Sequence, residues 1–552
     1  MYPVKKNVQT VVAMLKAYGI REVVISPGSR NAPLAQCFSQ DPFFHCQVIV
    51  DERAAAFHAL GIAQCRRKPV VACCTSGTAP LNYAPAVAEA CYQQLPLVIL
   101  SADRAPEWIG QMDGQTLPQT GCFGLLVKRS VQLPEINNES ETWWAERLCN
   151  EALIACTREA PGPVHLNIPI SEPLFDYSAS ELPVVKRIQA ATVEKQVAIQ
   201  PFADRWKAAR RRLIVIGQLP PSALPVATLE ALIQRNDCVV LTEHLSNCLS
   251  PLFVSNFDAL LYTFPGEGRF APDLVVSLGG HIVSKRLKQW LRKLRPEHWL
   301  LTPSGEVVDT FQSLTDLIEM DPSRFLEQLT EAIPREIDKP FLREWKQASF
   351  QLPEPSEALP FSDLTVTGAF MRRLPKGANL HLANSSPVRN AQLFALDASV
   401  RVYVNRGTNG IESPLPTAVG FASVTDEPVY LLIGDLSFFY GLNALWDSRP
   451  VSNLRILLIN NGGGGIFHMI PGLNKSASLE HYVAAGHAAG AQKWAEAAGM
   501  IYREATNNAS LEEAFEDFFS ENLPASILLE AHTDMTLSKQ IIQTYYHQLK
   551  NK

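Results

Sequence analysis

Residues 429–437 read Val-Tyr-Leu-Leu-Ile-Gly-Asp-Leu-Ser, and residues 454–465 read Leu-Arg-Ile-Leu-Leu-Ile-Asn-Asn-Gly-Gly-Gly-Gly. Each begins with an apolar, β-rich run the length of one buried strand and ends in small and polar residues. The first run, Val429–Ile433, delivers Asp435. The second, Leu454–Ile459, delivers Asn460 and Asn461 and then Gly462 to Gly465. In an open α/β sheet, ligands bind beyond the carboxyl ends of the strands. A carboxylate and an amide are hard oxygen donors of the kind Mg²⁺ takes, usually alongside substrate phosphates. Glycines let backbone approach a phosphate closely. Either half alone is an ordinary turn signal. Both halves at this spacing, each behind a buried strand, predict a parallel sheet that carries a metal-held diphosphate.

The same alternation of short apolar strands and helical patterns extends outward from this pair. In the third part of the chain it gives strands at Asn379–Ala383, Val402–Asn405 and Ser526–Glu530 as well. In the first part it gives Glu22–Ser26, Gln47–Val50, Pro69–Thr75, Pro96–Ala102 and Pro163–Pro169, with helices such as Ala54–Gln64 and Ala84–Tyr92 between them. The middle part gives Arg212–Gly217, Cys238–Thr242, Asp273–Gly279 and Trp299–Thr302. Strands alternating with helices argue parallel sheets. Polar stretches at 178–200 and 351–361 read as linkers. The fold expected is α/β, with three doubly wound parallel-sheet domains at 1–180, 200–345 and 360–552. A length of 552 residues suits about three or four domains. The first and third parts are alike in size and pattern, which is a coarse similarity only.

Composition narrows the classes. The net charge of −6 is mild and the basic residues are scattered, giving no case for nucleic acid. Eleven cysteines, all between Cys37 and Cys248 and without a Cys-x-x-Cys pair, fit buried thiols in a reducing compartment. No signal-peptide core or membrane span is seen, so a cytoplasmic protein is expected. The turn at Ile216-Gly217 lacks the glycine fingerprint of dinucleotide sites.

Three strand ends in the first part carry polar or charged residues: 26–34 (Ser-Pro-Gly-Ser-Arg-Asn-Ala-Pro-Leu), 51–53 (Asp-Glu-Arg) and 75–79 (Thr-Ser-Gly-Thr-Ala). Glu52 opens a helix. An isolated acid there is simply good helix electrostatics; its interest comes from the diphosphate motif in the same chain.

Gly-Asp followed at this distance by Asn-Asn resembles the diphosphate motif of thiamine-diphosphate enzymes, except that Leu436 stands where that superfamily usually has glycine. Asn-Arg-Gly-x-x-Gly-Ile at 405–411, Ala-Asp-Arg-Ala-Pro-Glu at 102–107 and Gly-Asp-Leu-Ser at 434–437 join the three motifs above. Together they resemble the family of 2-succinyl-5-enolpyruvyl-6-hydroxy-3-cyclohexene-1-carboxylate synthases of menaquinone biosynthesis, in which that leucine is usual. The resemblance spans about residues 20–470 and is weakest in the middle part.

The resemblance implies thiamine diphosphate with Mg²⁺ (or Mn²⁺), and 2-oxoglutarate and isochorismate as substrates. It implies a homodimer or homotetramer whose sites lie between chains. Glu52 would be the catalytic acid against the aminopyrimidine, favouring the imino form that removes the thiazolium proton. Asp435, Asn461 and the carbonyl of Gly463 would hold the metal. Ser385, Gly410, Ile411, Leu436, Ser437, Gly464, Ile466 and Phe467 would contact the cofactor, with Ile411 propping its bent shape. Arg30, Arg104, Gln115, Lys285, Arg389 and Arg406 would hold substrate carboxylates, for which arginine offers a planar fork. His281 and His468 are assigned no role. The alternatives are an acetolactate-synthase-like or aryl-oxoacid decarboxylase, a catalytically silent subunit of the same fold, and a plain nucleotide-binding protein. The arginine set argues against the first, and the retained Glu52, Asp435 and Asn461 against the second. The missing glycine fingerprint argues against the third.

Overall fold

The computed structural model describes residues 1–191, 195–263, 268–446, 451–470 and 472–550, so residues 192–194 of the first expected linker lie outside it. It contains three parallel sheets. The first joins β1 (Glu22–Ile25), β2 (His45–Val48), β3 (Val70–Cys74), β4 (Leu97–Asp103), β5 (Arg129–Gln132) and β6 (Val164–Pro169), in the order β2-β1-β3-β4-β6-β5. The second joins β7 (Arg212–Ile216), β8 (Cys238–Thr242), β9 (Leu274–Leu278), β10 (Glu297–Leu301) and β11 (Leu314–Ile318), in the order β11-β10-β9-β7-β8. The third joins β12 (Asn379–Leu382), β13 (Arg401–Tyr403), β14 (Val429–Gly434), β15 (Leu454–Asn460), β16 (Ile501–Ala505) and β17 (Ile527–His532), in the order β13-β12-β14-β15-β17-β16.

Every strand expected from the sequence is present, and β5, β11 and β16 were not foreseen. All three are edge strands with half-exposed residues. They lack the continuous apolar run that marks a strand buried on both faces. The central strands do have two buried faces. In β14, Val429, Leu431 and Ile433 enter one core while Tyr430 and Leu432 enter another. The same split divides Val70, Ala72 and Cys74 of β3 from Val71 and Cys73. No disulfide joins the cysteines among the described residues.

The first and third sheets have the same strand order, which turns the coarse similarity of the two parts into a shared topology. Their helices meet in one apolar core. The helix Glu52–Arg66, which follows β2, crosses the helix Pro414–Ala422, which follows β13. Ala54 through Gln64 are buried without a break, as are all residues of the second helix. A helix buried all round needs neighbours on every side. Glycine permits the closest approach. A Cβ on Gly61 would lie 2.0 Å from the Thr417 carbonyl oxygen, and one on Gly420 would lie 2.1 Å from that of His58. The contact is reciprocal: in each helix the glycine faces the carbonyl three residues before the other helix's glycine.

Candidate active site

Asp435 begins the helix that follows β14 and is almost wholly buried. Its Oδ1 accepts from the Leu436 amide at 2.6 Å. Its Oδ2 accepts from the amides of Asn461 and Gly463, each at 3.0 Å. Burial pushes the Asp435 carboxyl up, while the Leu436 and Gly463 amides, nearby His487 and the Gly462 amide pull the other way. The His487 ring nitrogen Nε2 lies 3.5 Å from Oδ2. The glycine run can fold back only because Gly463 has φ +151° and a Cβ there would stand 2.7 Å from the Ala484 carbonyl oxygen.

Asn461 donates its Nδ2 to Asp363 Oδ2 at 2.8 Å, leaving its Oδ1 buried without a partner. A buried acceptor without a donor is costly, and a cation would satisfy it. One carboxylate, one amide oxygen and a backbone carbonyl are the donor chemistry that Mg²⁺ takes. The residues therefore fit a hard divalent ion, although among the described residues no cluster of three or more His, Cys, Asp or Glu side chains could hold a metal.

These groups form one wall of a cleft with about 100 Å³ of enclosed space. Ser385, Ile411, Leu436, Ser437, Gly464, Ile466 and Phe467 line it together with Asp435, Asn461 and Gly463. Gly410 stands just behind, its carbonyl accepting from Asn384 Nδ2 at 2.9 Å. Ser385 has φ +78°, a strained backbone for a residue with a side chain, of the kind that gathers at functional sites. The hydroxyl of Ser437 donates to the Ile411 carbonyl at 2.5 Å, tying the clamp to the 405–411 loop.

Two expected arginines are not among the lining residues but bond to two that are, Ser385 and Asn384. Arg389 donates to the Ser385 carbonyl at 2.7 Å, and Arg406 donates to Asn384 Oδ1 at 3.1 Å. Burial first, and Arg389 second, push the Arg406 guanidinium down to about 10, with Glu243 and Glu89 opposing. Lys285 opens the helix Lys285–Leu294 and is not among the residues that line the cleft; on the same helix, burial and then the Arg406 charge push Lys288 down. Glu243 caps the same region, accepting from the amides of Val283 and Ser284 at 2.7 Å each, and burial pushes it up to about 7.

The loop that carries Arg406 is anchored from the first sheet's domain. Fully buried Glu89 accepts from the amides of Gly407 and Thr408 at 2.7 and 2.6 Å, and from the Thr408 hydroxyl at 2.7 Å.

The remaining expected residues stay with the first sheet and do not line the cleft of their own chain. Glu52 is the first residue of its helix, with Asp51 capping the amides of Arg53 and Ala54. Burial raises its carboxyl and Asp51 adds to the shift, against its own backbone amide. Arg30 donates to the Ile170 carbonyl at 2.9 Å and pairs with Glu172 at 3.0 Å. Arg104 pairs with Asp113 at 3.3 Å. Gln115 has φ +57° and packs against Gly77.

Sequence reasoning missed Asp363, Asn384 and Glu89. Asn384 is the neighbour of Ser385, which the resemblance does name. Asp363 follows a helix-capping serine and reads as an ordinary first-turn acid. Glu89 is one acid in an amphipathic helix.

Three parallel sheets, with the Asp435–Asn461 clamp and its cleft at the strand ends of the third, are the fold and site of a thiamine pyrophosphate enzyme, and the family matches show that class. Residues 5–121 match the family described as the N-terminal TPP-binding domain of such enzymes, 171–382 their middle domain and 385–529 their C-terminal TPP-binding domain. The middle match runs through β12, which pairs instead with β13 and β14 in the third sheet. The chain belongs to the family of 2-succinyl-5-enolpyruvyl-6-hydroxy-3-cyclohexene-1-carboxylate synthases. It is 45% identical to the synthase of Bacteroides thetaiotaomicron and 43% identical to that of Phocaeicola vulgatus, over the whole length of each chain. The synthase of Flavobacterium psychrophilum is 36% identical over the same full coverage. Among solved structures, benzoylformate decarboxylase from Polynucleobacter necessarius shares the fold with a TM-score of 0.71, at 17% identity over 96% of this chain and 99% of that one.

Proposed function

We propose that this chain is a thiamine-diphosphate-dependent transferase of menaquinone biosynthesis. It decarboxylates 2-oxoglutarate and adds the succinyl-semialdehyde unit 1,4 to isochorismate, giving 2-succinyl-5-enolpyruvyl-6-hydroxy-3-cyclohexene-1-carboxylate. The observation that carries this reading is end-to-end identity of 45% with a synthase of that name. Arg389 and Arg406, bonded to residues that line the cleft, support it and speak against an acetolactate-synthase-like chemistry.

Thiamine diphosphate would supply the reactive carbon and the electron sink. Asp435, Asn461 and the Gly463 carbonyl would hold Mg²⁺ or Mn²⁺ on its diphosphate. Ser385, Gly410, Ile411, Leu436, Ser437, Gly464, Ile466 and Phe467 would surround it. Glu52, whose carboxyl burial raises, is suited to keep and share a proton beside the aminopyrimidine. Arg30, Arg104, Gln115, Lys285, Arg389 and Arg406 would bind the carboxylates of the two substrates.

Glu52, Arg30, Arg104 and Gln115 do not line the cleft of their own chain, so we read the complete site as one formed between two copies, in a homodimer or homotetramer. We assign the domains to 1–180, 200–345 and 360–552, and the protein to the cytoplasm. No helix among the described residues is long and apolar enough to cross a membrane.

The test is to incubate the purified protein with thiamine diphosphate, Mg²⁺ and 2-oxoglutarate, with and without isochorismate, and to follow both substrates. Loss of both together is expected. Absence of isochorismate-dependent turnover would sink the reading, and turnover of pyruvate alone would favour the acetolactate-type alternative.

A further inference from the structure

Asp363 lies outside every motif that pointed to the function, yet it reaches the clamp directly. It is the first residue of the helix Asp363–Arg373, is buried, and borders the cleft. Its Oδ1 accepts from the hydroxyls of Thr533 and Ser538, at 2.6 and 3.0 Å. Its own amide donates to Ser538 Oγ at 3.0 Å. These contacts fix the carboxylate from behind and leave Oδ2 facing Asn461 Nδ2 at 2.8 Å.

A side-chain amide has one donor end and one acceptor end, and its orientation follows from its hydrogen-bond network. A carboxylate offers only acceptors, so it selects the NH₂ end of Asn461. The oxygen end is thereby turned away from Asp363, and that Oδ1 has no partner among the described residues. The Asn461 amide donates to Asp435 Oδ2 at 3.0 Å, which holds the backbone of the same residue in register with the carboxylate. Asn461 is thus held at both ends, with one free lone-pair atom.

We propose that Asp363 is a positioning residue for metal binding. By holding the NH₂ end of Asn461 it commits Asn461 Oδ1 to the cation of the diphosphate clamp. The proposal rests on the thiamine-diphosphate reading above and adds to it the residue that sets the ligand's orientation. Without this acceptor the amide can turn over and present NH₂, which cannot ligate a cation. Changes to residues that orient a metal ligand typically cost about 10–100-fold in metal affinity.

The test measures Mn²⁺ binding to the full-length protein with thiamine diphosphate present, by electron paramagnetic resonance of free Mn²⁺. It is read beside the melting temperature of the metal-free protein. Asp363→Ala is expected to weaken Mn²⁺ by about 10–100-fold with little change in metal-free melting. Asp363→Asn keeps a carbonyl that can accept from Asn461, and is expected to stay within a few-fold of the unmodified protein. Should the alanine variant fail to fold, Asp363→Ser serves in its place. It keeps a hydroxyl for Thr533 and Ser538 but stops short of Asn461, and the same loss is required of it. Undiminished Mn²⁺ affinity in the folded alanine or serine variant overturns the proposal while leaving the thiamine-diphosphate reading intact. Equal loss in the asparagine variant also overturns it, because charge rather than orientation would then be at work. Failure of the unmodified protein to bind Mn²⁺ with the cofactor would sink both readings.

Discussion

Replacing Gly61 by alanine tests whether the Glu52–Arg66 and Pro414–Ala422 helices touch backbone to backbone. The added methyl would stand 2.0 Å from the Thr417 carbonyl oxygen and 2.8 Å from the Phe421 amide nitrogen. An ordinary contact there begins near 3.4 Å. Both opposing atoms are main chain, so no side chain can swing aside and the helices must part by more than about 1 Å. A gap of 0.5–1 Å forfeits a quarter to a half of the dispersion energy along a packed surface. Overpacking of cores usually costs about 1–3 kcal/mol, and the rigidity here argues for the upper end, about 3 kcal/mol. At roughly 2–4 °C per kcal/mol for units of this size, melting should fall by roughly 6–12 °C. Gly268→Ala is the control, because a Cβ there meets nothing within 4 Å among the described residues. Differential scanning fluorimetry on the two variants gives the answer. Unchanged melting of Gly61→Ala would refute the close crossing and the shared core built on it. Glu52 sits at the start of one helix and Ile411 just before the other, so turnover should fall along with stability.

Glu52→Gln should bind thiamine diphosphate yet lose most turnover; an unimpaired variant would mean that the proton-sharing role is misassigned. Glu89→Ala strands the buried Gly407 amide, at about 1–3 kcal/mol for an unsatisfied buried group, and frees the amide and hydroxyl of the more exposed Thr408 in the loop that carries Arg406. The KM for 2-oxoglutarate or isochorismate, whose carboxylates Arg406 is proposed to hold, should rise, and unchanged kinetics would count against the anchoring role. Dialysis against a chelator should abolish turnover and added Mg²⁺ should restore it, whereas full activity in chelator would exclude the metal clamp. Burial holds His58 and His381 near 3, and His165, His244 and His298 near 4, below the ordinary 6.5. With folded values below unfolded ones, the unfolded chain binds more protons between these limits. Their contribution is therefore complete above about pH 6.5 and is lost as pH falls toward 4, by up to about 1.4 kcal/mol per pH unit for each histidine. His381→Phe should make the acid limb of a stability–pH curve shallower by about one proton, and an unchanged slope would show that His381 does not titrate on unfolding.

The sequence revealed most where burial is complete. Strands such as Val70–Cys74 and Leu454–Asn460 are apolar on both faces and stand out as runs. The edge strand Arg129–Gln132 buries only Val131 fully, so its residues carry no period to read. At the site, Asp435, Asn461 and the glycines were legible because their chemistry is tied to spacing along two strands. Asp363 and Glu89 act across the tertiary fold on partners 98 and 318 residues away. No local pattern encodes such reach, and each acid also makes sense as part of a solvated helix face. The positive φ of Ser385 and Gln115 was equally hidden, since neither is the glycine that usually signals it.

The paired glycines of the crossing helices have a consequence for ancestry. When residue i meets residue j and j meets i in return, the contact is of the isologous kind that joins two identical subunits about a two-fold axis. Here both halves of that contact belong to one polypeptide, between domains with the same strand order. That is the architecture left when a gene for a self-associating module is duplicated and fused. Each copy is then free to drift: the helix after β2 begins at Glu52, whereas its counterpart after β13 is preceded by the loop bearing Arg406 and Ile411.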